Sequence, residues 1–312
     1  MKVIICAPIQ SSDHSNGILA LIHLGKTLEE KGVTVLFCVM GEGLQSEYII
    51  NIPKLLSLTR EPNSYEHSLA SRIEKVVKKF NIQLLLKYDD SDISESVAIY
   101  PETILGNPLE CKKVVRYFGN KNGVLVEEVK VTGDELVLAH SRSVLANADQ
   151  YLFFSHIDPV FRPAEILPSR DRKFSSYYVG KGYLYGTPHQ FDDAIEITRH
   201  WPSKKKQLSI LLQNSQFLFT YDSWTNTNVE AVLCGAIPVY LNNGPFTDEE
   251  IDGSELGVIP RVKFNEEISY DDEYIERFSR QRSLLIGRID AISKKWDSGV
   301  SELIENIHKR FF

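Results

Sequence analysis

The fold is decided by residues 217–239, which read FLFTYDSWTNTNVEAVLCGAIPV. An apolar run ends at an acid, Asp222, and a polar loop leads into a segment over 226–234 whose apolar residues have helical spacing. Gly235 closes that segment, because glycine readily takes the left-handed conformation that ends helices. A second apolar run begins at Ile237. Strands that alternate with short helices build parallel sheets, so the stretch predicts a strand, a helix and a strand of one α/β sheet.

The same alternation occurs on both sides of a proline-rich segment at 159–172. Before it, apolar spacing predicts strands over 3–7 and 33–39, with a helix from 18 to 31 between them. The other predicted elements of this half are a helix over 69–80, strands over 83–87 and 96–101, a helix over 108–118 and a β-hairpin within 123–139. The predicted elements of the other half are strands over 174–179, 194–198, 217–221 and 237–241, helices over 203–214 and 226–234, and a helix over the last 40 residues.

These two α/β halves predict two Rossmann-like lobes, since 312 residues are enough for two domains. We predict one lobe over 1–165, a second over 166–290, and a C-terminal helix over 291–312 that packs back toward the first lobe. Ligands of open α/β sheets bind at the carboxyl ends of the strands. Two lobes that face each other across a cleft would suit an enzyme with two substrates.

Composition excludes several classes of function. The net charge of −7 argues against nucleic acid as the partner, because nucleic-acid binding relies on neutralising phosphates. The four cysteines form no CxxC pair, which argues against structural zinc and disulfides and favours a reduced cytosol. No apolar run approaches the roughly 20 residues needed to span a bilayer. We therefore expect a cytoplasmic protein with at most peripheral membrane contact. The basic and aromatic end at 308–312 is one candidate for such contact, and the favoured alternative is that it is an ordinary helix terminus.

Two acids eight positions apart, Asp222 and Glu230, are the first candidates for chemistry. If the helix starts near Thr227, Glu230 lies in its first turn, where a carboxylate offers two oxygens to the hydroxyls of a ribose. The amides at a helix start suit a diphosphate. A purely structural alternative is that Glu230 stabilises its helix and Asp222 caps it. The predicted donor site also contains the neighbouring residues Tyr221, Thr225, Thr227 and Asn228.

The segment resembles the donor-binding core of GT-B-fold glycosyltransferases, especially the retaining ones that carry two acids at this spacing. Glu-Ala, Gly and Pro-Val at 230–239 match the end of that motif, whereas Asp222 departs from it, because many relatives have Glu there. The resemblance implies a GT-B-type fold, with the acceptor on the N-terminal lobe and a nucleotide sugar on the C-terminal lobe. It also makes Asp222 a catalytic candidate.

A second segment, at 99–116, contains Tyr-Pro-Glu, Gly-Asn-Pro-Leu and Val-Val-Arg. It resembles a signature of bacterial glycosyltransferases that build surface polysaccharides such as lipopolysaccharide and capsule. A strand that ends in this way puts Glu102 at the cleft, where it is a catalytic candidate that contacts the acceptor. The alternative is a carboxylate that anchors a loop.

Basic residues are expected to hold the diphosphate. Gly180, Lys181 and Gly182 follow a predicted strand, where glycines permit close backbone approach and a lysine can neutralise phosphate charge. Arg199 follows the next strand and is a second candidate. The alternatives are an ordinary turn with a solvated lysine and a surface arginine.

The first predicted helix begins at Asn16 and Gly17, after a loop that contains His14. GT-B enzymes place a glycine-containing loop here, near the donor diphosphate and the acceptor. A neutral imidazole can take a proton from an acceptor hydroxyl, so His14 is the candidate base of an inverting reaction. The alternative is an exposed loop histidine.

The resemblance predicts transfer of a sugar from a nucleotide sugar to the hydroxyl of a glycan or glycolipid acceptor, with retention, in surface-glycan synthesis. Asp90, Ser91 and Asp92 spell a metal-binding Asp-x-Asp motif, but next to Asp89 we interpret them as an acidic loop. No metal or cofactor is expected. The alternatives are a nucleotide-sugar epimerase, a phage enzyme that glycosylates DNA, and a non-catalytic subunit that binds nucleotide sugars.

Overall fold

The computed structural model describes two compact units. The described residues are 1–42, 48–59, 64–87, 91–166, 171–186, 191–242, 244–264 and 271–312, with the backbone alone described at 13, 14, 91 and 92. The first unit contains Met1–Phe154 together with Lys295–Phe312, and the second contains Ser155–Lys294.

The first unit is built on a six-stranded sheet in which every neighbouring pair of strands is parallel. The strand order is β2-β1-β3-β4-β5-β6. The strands are β1 Lys2–Ala7, β2 Thr34–Val39, β3 Val97–Pro101, β4 Lys113–Phe118, β5 Leu136–Ala139 and β6 Gln150–Tyr151. The helices before β4 are α1 Asn16–Glu30, α2 Ile52–Leu58, α3 Tyr65–Phe80 and α4 Ser91–Glu95. The chain adds β2 on one side of β1 and β3 on the other, which is the switch in direction typical of nucleotide-binding folds.

Helix α1 shows how the sequence produces this unit. The hydroxyl of Ser15 caps it by accepting the amide of Ile18 at 3.4 Å. Gly25 brings the helix close to β2, because a Cβ there would lie 2.5 Å from the ring of Phe37. Gly32, between α1 and β2, has a φ of +82°, the left-handed conformation predicted from its position after the helix.

Three predictions for this unit are wrong. Residues 108–118 do not form a helix, since 113–118 are strand β4 and the connection before it is irregular. The hairpin within 123–139 is absent, because the only strand in that range is β5, which pairs in parallel with β4. The strand over 83–87 is reduced to a single parallel bridge between Leu84 and Phe37.

The physical reason for the first error is that a short run of buried apolar residues fits a buried strand and a buried helix equally well. Side-chain hydrogen bonds make the segment before β4 a loop and not a helix. The amide oxygen of Asn107 accepts the hydroxyl of Tyr100 at 2.8 Å, and its Nδ2 donates to the carbonyl of Cys111 at 2.7 Å. These bonds hold 107–111 in a compact loop, so that Lys113–Phe118 can pair with β3.

The second unit is built on a five-stranded parallel sheet with the order β11-β10-β9-β7-β8. Its strands are β7 Phe174–Tyr178, β8 Ala194–Ile197, β9 Ser215–Thr220, β10 Ile237–Tyr240 and β11 Val262–Lys263. Its helices are α5 Lys205–Asn214, α6 Asn226–Cys234 and α7 Asp248–Asp252. The predicted α/β class with two Rossmann-like lobes is therefore confirmed.

Helix α8, Asp272–Phe311, begins in the second unit, and its last part belongs to the first. Val300, Leu303 and Ile307 are fully buried in the core of the first unit. The indole of Trp296 donates a 2.9 Å hydrogen bond to the hydroxyl of Thr27 on α1. The predicted packing of the C-terminal helix on the first lobe is confirmed. None of the helices in the described ranges combines the length and the apolarity that crossing a membrane requires.

Candidate functional site

The candidate site lies at the carboxyl edge of the second sheet. Strand β7 is the first strand of this sheet, with β8 on one side of it and β9 on the other, so the direction of the chain switches there. The segments 179–182 and 221–222 follow β7 and β9 and meet at this switch point. Open α/β sheets bind ligands at such a point, because two neighbouring loops leave the sheet on opposite faces.

Asp222 joins these two loops. Its carboxylate accepts the backbone amide of Lys181 at 3.0 Å and lies 3.7 Å from the ammonium of the same residue. The ammonium also donates to the carbonyl of Trp224 at 2.9 Å. Burial raises the pKa of Asp222, and the positive charge of Lys181 opposes that rise. Because Asp222 is only 3% exposed, its main visible role is to hold the loop after β7.

Both glycines of the Gly-Lys-Gly segment at 180–182 are required, because they pack against Tyr221 and Asp222. Gly180 has a φ of +52°, and a Cβ there would lie 2.6 Å from a carboxylate oxygen of Asp222. A Cβ at Gly182 would lie 2.7 Å from the carbonyl oxygen of Tyr221. The close approach that these glycines allow is therefore an approach to β9. Approach of a phosphate to the same segment stays a prediction.

The start of helix α6 completes this edge. Thr225 is the N-cap, and its hydroxyl accepts the amide of Thr227 at 3.4 Å. The hydroxyl of Tyr178, at the end of β7, is hydrogen-bonded to the side chains of both threonines. Burial raises the pKa of Tyr178, so the phenol stays neutral and remains a hydrogen-bond donor. The sequence interpretation missed Tyr178, although an aromatic residue immediately before Val-Gly-Lys-Gly was a usable signal.

Asn228 has a visible structural role. Its side chain is completely buried and donates to the carbonyl of Asp222 at 2.9 Å and to the hydroxyl of Tyr240 at 3.1 Å. It therefore positions the turn after β9, and its predicted contact with the donor stays a prediction.

Glu230 is further along its helix than the sequence suggested. Helix α6 begins at Asn226, so Glu230 lies in the second turn and not in the first. Its side chain is partly buried, and burial raises its pKa to about 8, with Lys205 opposing the rise and Asp158 adding to it. The cations that act on Asp222 are Lys181 and Arg199. The two acids thus have different charged neighbours, and the predicted ribose contact of Glu230 stays a prediction.

Arg199 adds positive charge to the edge. It is exposed and lines a cavity of about 340 Å³ at the carboxyl ends of β7 and β8, together with Gly180, Tyr183 and His200. Its charge acts on both Tyr178 and Asp222. The structure therefore brings together the two predicted basic residues, Lys181 and Arg199, around the loop after β7.

The site residues predicted in the first unit are arranged differently. The carboxylate oxygens of Glu102 accept the amide of Gly119 and the side-chain amide of Asn120, each at 2.9 Å. With 5% exposure, Glu102 has the loop-anchoring role that the sequence left open as an alternative. Asn16 and Gly17 begin α1 and are exposed. The side chain of His14 lies outside the described residues, so its role as a base stays a prediction.

Arg116 is a residue whose role the sequence interpretation missed. Its guanidinium is completely buried, pairs with both carboxylate oxygens of Glu135 at 3.1 Å, and donates to the carbonyls of Ile104 and Gly106 at 2.8 Å. It therefore fixes the connection between β3 and β4. The available signal was the arginine itself, since a charge within a buried strand needs a partner.

The structure also bears on metal chemistry and the cysteines. Within the described ranges, His, Cys, Asp and Glu side chains form no group of three or more that could hold a metal ion. The Asp-x-Asp motif at 90–92 falls outside the described side chains. Cys6, Cys38, Cys111 and Cys234 are all free and buried.

No protein-family model and no curated protein sequence matches this chain. Among solved structures, the chain is similar to the spinosyn rhamnosyltransferase SpnG complexed with thymidine diphosphate, at 12% identity and a TM-score of 0.37, over 97% of this chain and 96% of that one. It is similar to the glycosyltransferase SnogD from Streptomyces nogalater, at 12% identity and a TM-score of 0.39, over 97% and 99%. It is also similar to UGT89C1 of Arabidopsis thaliana complexed with UDP, at 11% identity and a TM-score of 0.28, over 100% and 99%. Similarity of this degree leaves the activity to be decided by the chain's own residues.

Proposed function

We propose that this chain is a glycosyltransferase that moves a sugar from a nucleotide sugar to an acceptor hydroxyl, with the donor diphosphate bound at the carboxyl edge of the second sheet. The observation that carries the proposal is the grouping of Lys181, Arg199 and the start of α6 at the switch point of that sheet. Cations and helix amides at such a point favour a doubly charged anion.

Transfer of a sugar leaves negative charge on the departing diphosphate. Lys181 is held in place by Asp222 and the carbonyl of Trp224, so its ammonium would meet that charge without reorganising. Arg199 and the amides of α6 would share the charge. The carboxyl group of Glu230, on the same helix α6, would bind the ribose through its two oxygens.

Retention of anomeric configuration belongs to the same proposal, and it derives from the spacing of Asp222 and Glu230. Asp222 would not be the nucleophile of a covalent intermediate, since its carboxylate is buried and engaged by Lys181. The acceptor would be a glycan or glycolipid in cytoplasmic synthesis of surface glycans. The measurement is the anomeric coupling constant of the isolated product by NMR, and an inverted product would reject retention.

The donor site is tested by substituting its cations. We expect Lys181→Ala and Arg199→Ala each to weaken binding of nucleoside diphosphates by about 10- to 100-fold, since a hydrogen bond to a charged group contributes about 1.5–3 kcal/mol. Titration calorimetry with UDP, TDP, GDP and ADP gives the affinities. Lys173→Ala, at an exposed position just before β7, is the matched control.

Lys181→Ala also removes the partner of Asp222, so thermal unfolding of each variant must be recorded beside the titration. Arg199 is exposed, and its removal does not touch the hydrogen bond between the Lys181 amide and Asp222. Wild-type affinity in a folded Arg199→Ala and a folded Lys181→Ala would reject this edge as the diphosphate site.

A further inference from the structure

A second cavity of the second unit is apolar and open. It has a volume of about 360 Å³ and lies between α5 and the loop that follows β8. Phe174, Trp201, Ile210 and Leu211 contribute most of its apolar lining. Trp201 is 50% exposed and Ile210 is 52% exposed, so the largest apolar groups of the wall face solvent.

Exposed lysines lie at both ends of this cavity. Lys204 and Lys206 are exposed at the start of α5. Lys206 precedes Ile210 by four residues, which puts the two side chains on one stripe of the helix. At the other end, the exposed Lys173 donates its amide to the carbonyl of Asn214, which also lines the cavity.

The lysines are unfavourable for the helix that carries them. The N-cap of α5 is Lys204, no side chain caps the helix, and its first turn contains no acid. Positive charge at a helix start opposes the macrodipole. Lys205 offsets part of this by pairing with Asp158 at 3.6 Å. The position of Lys204 and Lys206 therefore does not serve the stability of α5.

We propose that the face formed by Lys173, Trp201, Lys204, Lys206 and Ile210, the Trp201 face, docks on the surface of an anionic lipid bilayer. Charge complementarity supports this occupant, because the exposed Lys204 and Lys206 lie between the lining residues Pro202 and Gln207 in sequence, and the exposed Lys173 precedes the lining residue Phe174. Tryptophan prefers the boundary between headgroups and acyl chains, and each lysine near an anionic leaflet adds to the binding.

The apolar groups favour a bilayer over a nucleic acid. A nucleic-acid duplex would bind the lysines through its phosphates, but its bases are stacked inside and would leave Trp201 and Ile210 in water. A bilayer surface accommodates both kinds of group, with the apolar side chains at the acyl boundary and the ammonium groups among the lipid phosphates. The inference uses no feature of the proposed donor site and does not depend on the proposed activity.

Docking would also bring the donor-site loop to the lipid. Two hydrogen bonds join Trp201 to Thr198. The amide of Trp201 donates to the hydroxyl of Thr198 at 2.9 Å, and the amide of Thr198 donates to the carbonyl of Trp201 at 2.8 Å. Arg199 and His200 lie between Thr198 and Trp201 in the sequence, and both line the 340 Å³ cavity at the ends of β7 and β8. A lipid-bound Trp201 would therefore hold Arg199 and His200, the two residues before it, close to the membrane surface.

The test is flotation of the full chain with vesicles of phosphatidylcholine alone and with vesicles that contain phosphatidylglycerol. We expect binding to the anionic vesicles only. Lys204→Glu with Lys206→Glu should weaken the partition coefficient by at least about 30-fold, from about 1 kcal/mol for each lysine. Acids at a helix start stabilise it, so loss of binding in this variant cannot come from unfolding of α5.

The control is Lys294→Glu with Lys295→Glu, on the exposed side of α8. It changes the net charge by the same amount as the Lys204/Lys206 variant, and it should bind as the wild type does. Trp201→Ala should weaken binding while the lysines remain. Equal binding to neutral vesicles, or equal loss in the Lys294/Lys295 control, would overturn the proposal. So would a Trp201 face that instead binds an oligonucleotide, or that mediates self-association measured by sedimentation velocity, without binding vesicles.

Discussion

The carboxyl edges of the two sheets use their polar groups in different ways. In the first unit, Glu102 binds the loop after β4, and Arg116 binds the connection after β3, so these side chains fasten one loop to another. In the second unit, Lys181 and Arg199 gather positive charge around the loop after β7. Both sheets are parallel and both switch direction at their first strand.

The difference shows that topology alone does not make a site. A switch point offers space between two loops, and the side chains decide whether that space is closed by internal hydrogen bonds or lined with charge. Glu102 and Arg116 are buried and their bonds stabilise the first unit. Arg199 is exposed and its charge faces a cavity. We therefore expect substitution of Glu102 or Arg116 to change stability, and substitution of Arg199 to change binding.

The largest expected effect is that of Arg116→Met. Removing the guanidinium leaves the carboxylate of Glu135 buried without its cation, which typically costs about 3–5 kcal/mol. Urea unfolding followed through Trp296, in a background of Trp201→Phe and Trp224→Phe, reports on the first unit. Arg280→Met, at an exposed position of α8, is the control. If the loss in Arg116→Met were below 1 kcal/mol, the first edge would not be held by this pair.

Gly182→Ala is expected to have an intermediate effect. The new methyl group would lie within 2.7 Å of the backbone of Tyr221, and overpacking of this kind costs about 1–3 kcal/mol. Displacement of the loop should also weaken binding of nucleoside diphosphates, measured by calorimetry beside a thermal melt. Gly133→Ala has no described atom within 4 Å of its new Cβ and should be neutral. An unchanged melt in Gly182→Ala would show that the loop after β7 adapts freely.

At pH 5 the smallest effect is expected from Glu230→Gln, and this effect grows as the pH rises. The carboxyl pKa is about 8 in the folded chain against an ordinary 4.5. Between these two pH values the folded chain keeps the proton and the unfolded chain releases it, so the free energy of unfolding falls as the pH rises. Glutamine cannot ionise and should not show this loss. The melting temperature of the wild type should therefore fall more than that of the variant between pH 5 and pH 9, and most of the difference should arise below pH 8.

Glu276→Gln removes an exposed carboxylate from α8 and is the control for this prediction. Its melting temperature should follow that of the wild type across the same pH range. Parallel curves for the wild type and Glu230→Gln would mean that Glu230 is more hydrated than its surroundings indicate, which would also weaken its proposed contact with a ribose.

Much of the fold could be predicted because local patterns were unambiguous. The glycine after α1, the helix over Asn226–Cys234 and strands β7 to β10 of the second sheet follow from apolar spacing and from caps near in sequence, whereas β11 was not predicted. The errors fell where an apolar run had no distinguishing period, as at Lys113–Phe118. There the structure depends on pairing with β3 and on the Asn107 loop, which the sequence does not display.

The candidate site divides in the same way. Sequence alone identified Lys181, Arg199 and the start of α6, since loops after strands and helix starts are recognisable locally. Only the tertiary structure revealed that Asn228 is sealed inside the turn and that Asp222 is engaged by Lys181. Spacing along the chain fixes which residues are near in sequence. Burial and long-range hydrogen bonds depend on contacts between distant segments, and those contacts exist only once the sheet has formed.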